Sequence, residues 1–136
     1  MVKSTNFKKL LFPISIFFYC LGCSKISSSR ISFERETQNF IINQGETWKG
    51  FFQFKNTGNE NLIIKSVNAD CGCTDLKYSK DPIPPGKTGI IEINLNSKLT
   101  DAGAVSKSIL VESNTDTILH SLTINGYVKP KMAITN

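Results

Sequence analysis

From Ser24 onward, runs with apolar residues at every second position dominate, and no stretch holds the i, i+3, i+4, i+7 spacing of an amphipathic helix over three turns. Trp48, Phe52 and Phe54 share one parity, with Lys49, Gln53 and Lys55 on the other; Phe51 interrupts the polar side. Ile91, Ile93 and Leu95 alternate with Glu92, Asn94 and Asn96. Val105, Ile109 and Val111 alternate with Ser106, Leu110 and Glu112, and Leu122, Ile124 and Val128 with Ser121, Thr123, Asn125 and Tyr127. Such runs predict half-buried strands. Trp48, Phe52 and Phe54 are expected to point inward. Leu62 and Ile64 alternate with Ile63 and Lys65, but Val67 falls on the opposite parity, which predicts a bulge near Ser66.

Turn signals separate the runs at short intervals: Asn43-Gln44-Gly45, Asn56-Thr57-Gly58-Asn59, Pro82 to Gly86, Asp101-Ala102-Gly103 and Ser113 to Asp116. About seven short strands in this rhythm predict an all-β fold, an immunoglobulin-like antiparallel β-sandwich over residues 31–129. The antibody-type staple between sheets is missing, because Cys71 and Cys73 stand two apart. A domain of this size buries roughly 65% of its unfolded surface, so it sustains one core without metal.

The first 22 residues read as an address. Lys3, Lys8 and Lys9 precede the apolar run Leu10 to Gly22, which at 13 residues is shorter than the roughly 20 that span a bilayer. The run ends in Leu21-Gly22-Cys23-Ser24, which resembles a bacterial lipobox, although Cys20 stands where that pattern has Leu, Val or Ile. Residues 1–22 are expected to be a lipoprotein signal peptide and Cys23 the lipidated residue. The polar stretch 23–30 reads as a flexible tether and 130–136 as a C-terminal tail.

The net charge of +5 changes meaning once that address is set aside. Three of the sixteen basic residues precede Cys23, leaving thirteen against eleven acids, a net of +2 without a basic stripe. Nucleic-acid binding needs clustered Lys and Arg to displace counterions, so it is not expected. Asp81 to Thr88 nearly spells a phosphate loop, but Asp81 replaces its first Gly, and Pro84 and Pro85 lack the N–H donors such a loop uses. A proline-set turn entering a strand is the expectation. His120, the only histidine, shares parity with Leu122 and Ile124 and reads as structural. Catalytic residues and cofactors are not assigned.

Asp70-Cys71-Gly72-Cys73-Thr74 is the one specific chemical feature. Gly72 can adopt φ > 0 and fold the two sulfurs together. The pair then serves as a small-ring disulfide, as a redox couple, or as two soft-metal thiolates for copper or zinc, to which His120, Asp70 or Asp75 could add. No metal site is assigned on this basis, and an oxidising export compartment favours the disulfide.

Phe54-Lys-Asn-Thr-Gly58, Leu62 to Ile64, Val67, Cys71-Gly-Cys-Thr74, Pro84-Pro-Gly-Lys87, Ile91 to Leu95, Ser113-Asn-Thr115 and Gly126-Tyr-Val128 together resemble a bacterial domain family of unknown function. That family is related to the immunoglobulin-like domain of ciliary and centrosomal proteins. The resemblance covers roughly Phe33 to Lys129 and implies a seven-stranded sandwich, often on an envelope lipoprotein. The family has Phe-Gly before its first Gly-Glu turn, where this chain has Phe40-Ile41 before Gly45-Glu46. The expected protein is a membrane-anchored lipoprotein of the bacterial cell envelope, facing the periplasm or the cell surface. It acts as a structural or binding module for another envelope protein, without enzymatic activity. The alternative is a thiol redox or copper-handling protein using Cys71 and Cys73.

Overall fold

The computed structural model of this chain describes residues 27–131. The signal segment, Cys23, tether residues 24–26 and tail residues 132–136 lie outside the described residues. Eight strands follow in order: β1 (Ile31–Phe33), β2 (Thr37–Asn43), β3 (Thr47–Asn56), β4 (Ile64–Ala69), β5 (Thr74–Tyr78), β6 (Thr88–Asn96), β7 (Gly103–Ser113) and β8 (Leu119–Lys129). One sheet runs β1-β3-β6-β5 and the other β2-β8-β7-β4. This is the immunoglobulin arrangement with its first strand divided between the two sheets. Chain direction is kept through the charged link Glu34-Arg35-Glu36, so β1 pairs antiparallel with β3 while β2 pairs parallel with β8. The division accounts for eight strands rather than seven and for the one parallel ladder in an otherwise antiparallel sandwich.

The alternation sets the core. Phe52, Ile91, Ile93, Leu95, Ile109, Val111, Leu122, Ile124 and Val128 are buried between the sheets, and Phe51 lies outside. The parity slip is a bulge: the β4–β7 register shifts between Ile64 and Ser66, which brings both Ile64 and Val67 inward. Trp48 departs from the expected pattern. It is only partly buried, because β3 begins at the rim, and its ring stacks on Phe40 across the sheets with centroids 5.1 Å apart. Glycines admit this stack from both sides. A Cβ at Gly50 would lie 2.3 Å from the Trp48 ring, and one at Gly126 would lie 2.5 Å from the Phe40 ring.

Buried polar groups fix the loops. Asn56 is fully buried at the end of β3; its amide donates to the carbonyls of Glu60 (2.7 Å) and Ile83 (2.8 Å), and its side-chain oxygen accepts from Gly58 N (3.0 Å). Ser97 is equally buried, donating to the Glu46 carbonyl and accepting from Gly45 N, which ties the β2–β3 turn to the end of β6. In that turn the Glu46 carboxylate accepts from the Asn43 side chain and backbone, which holds it below its ordinary titration range.

The tether expectation needs correction at its end. Ser28 N donates to Asn59 Oδ1 (2.8 Å), Asn59 N to Ser28 O (3.0 Å), Thr57 N to Arg30 O (2.9 Å) and Ser29 Oγ to Asn114 O (3.0 Å). Ser27 Oγ also donates to the Glu60 carboxylate, so residues 27–30 are docked on the sandwich by Thr57, Asn59 and Glu60 of the β3–β4 loop and by Asn114 of the β7–β8 turn.

Candidate functional site

The Cys-Gly-Cys corner lies where the chain crosses between sheets, from β4 to β5. Asp70 closes β4 by pairing twice with Ser108, its N donating to Ser108 O (3.1 Å) and its carboxylate accepting from Ser108 N (3.0 Å). Asn96 N donates to Cys73 O (2.8 Å) and anchors the start of β5. Between these ties Cys71 and Cys73 form a disulfide, with Cα atoms 5.3 Å apart, and Thr74 Oγ1 lies 3.5 Å from Cys71 Sγ.

Gly72 does not use the freedom expected of it: the glycines with positive φ are Gly45, Gly86 and Gly103. The disulfide closes a turn that ordinary residues can adopt, and a Cβ at Gly72 meets nothing within 4 Å. Gly72→Ala is accordingly expected to leave the denaturation midpoint unchanged or slightly raised, by under about 1 kcal/mol, since it narrows the unfolded ensemble. A loss beyond 1 kcal/mol in a urea titration would show that the corner needs glycine.

Cys71 is half-buried and Cys73 buried, and both line an open cleft of about 580 Å³ with Leu99, Thr100, Ser106 and Lys107. The copper reading changes footing, since the bonded pair offers no thiolate. Among the described residues no three His, Cys, Asp or Glu side chains cluster as ligands. His120 does not join the pair. It sits opposite Val111, whereas the cleft touches β7 at Ala104–Lys107, so the two lie at least four positions apart, roughly 13 Å along the strand. Its Nε2 lies 3.1 Å from Thr115 Oγ1 and its ring 5.8 Å from that of Phe33.

The phosphate-loop lookalike is a turn. Gly86 N donates to Asn56 O and Lys87 N to Pro84 O, so its donors serve the fold itself. Cys23 lies outside the described residues.

One feature carried no sequence signal as a site. Each sheet ends in two edge strands. β1 has three residues, β5 has five and includes Asp75 and Lys77, and β4 is bulged and carries Lys65; such devices blunt an edge. β2, Thr-Gln-Asn-Phe-Ile-Ile-Asn, has seven residues, no charge, no proline and no bulge, and it pairs only with β8. Gln38 spends its side-chain amide on Phe51 O, and Asn43 N is taken by Glu46, leaving Asn39–Ile42 as the open centre. There Ile41 is 68% exposed, and Tyr127, its register partner on β8, is 47% exposed.

The sequence model of a protein family of unknown function, DUF1573, matches residues 31–128. The chain belongs to the DUF1573 family. Solved structures resemble this DUF1573 chain in fold. A Porphyromonas gingivalis W83 protein of unknown function superposes with a TM-score of 0.68 at 15% identity, over 79% of this chain and 50% of that one. The ASH/PapD-like domain 7 of human CEP192 gives 0.59 at 14% identity, covering 97% and 99%. The periplasmic chaperone SfaE gives 0.50 at 7% identity, covering 79% and 61%. The DUF1573 chain thus spans half the length of the Porphyromonas protein. No curated protein matches the sequence.

Proposed function

We infer that this DUF1573 chain is a lipid-anchored binding module of the bacterial cell envelope, without enzymatic activity, that captures an extended segment of another envelope protein along β2. The supporting observation is the unblunted β2 edge beside exposed Ile41 and Tyr127. An incoming strand would take main-chain hydrogen bonds from β2 and lay alternate side chains on those two residues. The lipobox-like Gly22-Cys23 supports the anchor.

A photo-crosslinking residue at position 41, placed in cells, is expected to yield one protein adduct identifiable by mass. Ile41→Lys is expected to lose that partner in a reciprocal pull-down while its stability stays within about 0.5 kcal/mol of wild type, because Ile41 is exposed. Adducts at Leu99 or Phe51 with none at Ile41 would move the binding surface elsewhere.

A further inference from the structure

The two ends of the sandwich differ in chemistry. One end gathers Ser27–Arg30, the β3–β4 loop and the β7–β8 turn; the other gathers the β2–β3 turn, the disulfide corner and Ser97–Ala102. The chain leaves toward its N-terminus from the first end, and the docking described above fixes where. Gly58 is what lets it lie so close, since a Cβ there would sit 2.3 Å from Ser28 O.

Around that exit stand three exposed aliphatic side chains: Ile118 (54%), Leu119 (52%) and Ile63 (39%). Asn114 and its neighbour Ser113 tie the Ile63 and Ile118 backbones to the same turn, and Leu119 opens β8 opposite Glu112. Asn114 Oδ1 accepts from Ile63 N (2.9 Å), Asn114 N donates to Ile63 O (3.1 Å), and Ser113 N donates to Ile118 O (2.9 Å). The same Asn114 accepts from Ser29, so the apolar cluster and the exit of the N-terminal segment share one anchor residue.

We propose that this end is a membrane-contact surface, with Ile63, Ile118 and Leu119 seated at the headgroup boundary of the bilayer that holds the lipid anchor. The proposal rests on the anchoring at Cys23 put forward above. Cys23 stands four positions before docked Ser27, a reach of at most about 14 Å. The far end of β7 lies roughly 33 Å beyond. A tether this short brings the aliphatic cluster to the lipid surface, where its burial adds to the acyl chains' hold. The disulfide cleft then points away from the membrane and β2 stands along the side, both open to a partner.

The test uses the lipidated full chain in phosphatidylethanolamine–phosphatidylglycerol vesicles with brominated acyl chains. Trp48 is the only tryptophan, so Trp48→Phe gives a silent background. In it, Leu119→Trp is expected to lose about half its emission on brominated lipid relative to unbrominated lipid, while Leu99→Trp at the opposite end keeps its emission. Ile118→Trp serves in the same way if Leu119→Trp folds poorly. Acylated protein, verified by mass, whose Leu119 and Ile118 probes are both unquenched would overturn the contact surface and leave the anchor standing. An N-terminal peptide without acyl chains would overturn the anchor itself, and the surface with it.

Discussion

Phe52→Ala is expected to lower the unfolding free energy by about 3–5 kcal/mol. Phe52 has no exposed surface and belongs to the single buried cluster that includes Ile91, Ile93, Ile109, Leu122 and Ile124 from both sheets. Its strand is paired on the inner side of the sheet, β3 with β6, and Phe52 stands opposite Ile91, itself fully buried. Paired backbone on a central strand cannot collapse into the space left by a ring, so lost transfer energy and an open cavity add together. Small domains hold about 5–15 kcal/mol in total, so the variant sits near the edge of folding. Phe51→Ala is the control. The next residue points to solvent, 53% exposed, and its truncation should change the midpoint by about 0.5 kcal/mol or less. A urea titration reads both; equal effects at the two positions would mean that β3 does not present the face described.

The contrast between those neighbours was legible because period-2 alternation reports which face of a strand is wet. It reports nothing about strand order. The five long runs were readable for that reason, whereas β1, with three residues, is shorter than any alternation can mark, and Thr37–Asn43 shows no sustained alternation. That the first strand divides between sheets, and that β2 becomes an edge parallel to β8, depends on how distant segments pack. The open edge therefore left no trace in the sequence except an absence of charge in Thr37–Asn43. Trp48 shows the same limit: parity assigned its face, but its position at the rim follows from where the sandwich ends.

The motifs were legible as turns and not as a unit. Asn-Thr-Gly and Pro-Pro-Gly-Lys lie about thirty residues apart, and nothing local says that one buried side chain serves both. The closeness of the two sulfurs was readable from cysteines two positions apart, whereas the spacing alone left disulfide, redox couple and metal thiolates equally open. The backbone shape was not readable, because the freedom of glycine permits a positive φ without requiring one, and the turn at Gly72 does without it.

Asn56→Leu, which keeps the branched shape of the side chain and removes its polar atoms, is expected to destabilise by about 3 kcal/mol or more. The substitution removes three hydrogen bonds, two donated to Glu60 O and Ile83 O and one accepted from Gly58 N. Each is worth roughly 1 kcal/mol net, and each partner left buried without a replacement adds about 1–3 kcal/mol unless water reaches it. The backbone bonds of Asn56, from its N to Lys87 O and from Gly86 N to its O, remain possible and should keep the β3–β6 end aligned. The loss should therefore concentrate in the Thr57–Asn59 loop, and through it in the docked N-terminal segment that Thr57 and Asn59 hold. Amide exchange separates this account from general loosening. Thr57, Asn59 and Ser28 are expected to lose protection while Ile91, Ile109 and Leu122 keep theirs up to the new global limit. Uniform loss across all six amides would mean that Asn56 acts by filling space; a change under 1 kcal/mol would mean that the loop finds other partners.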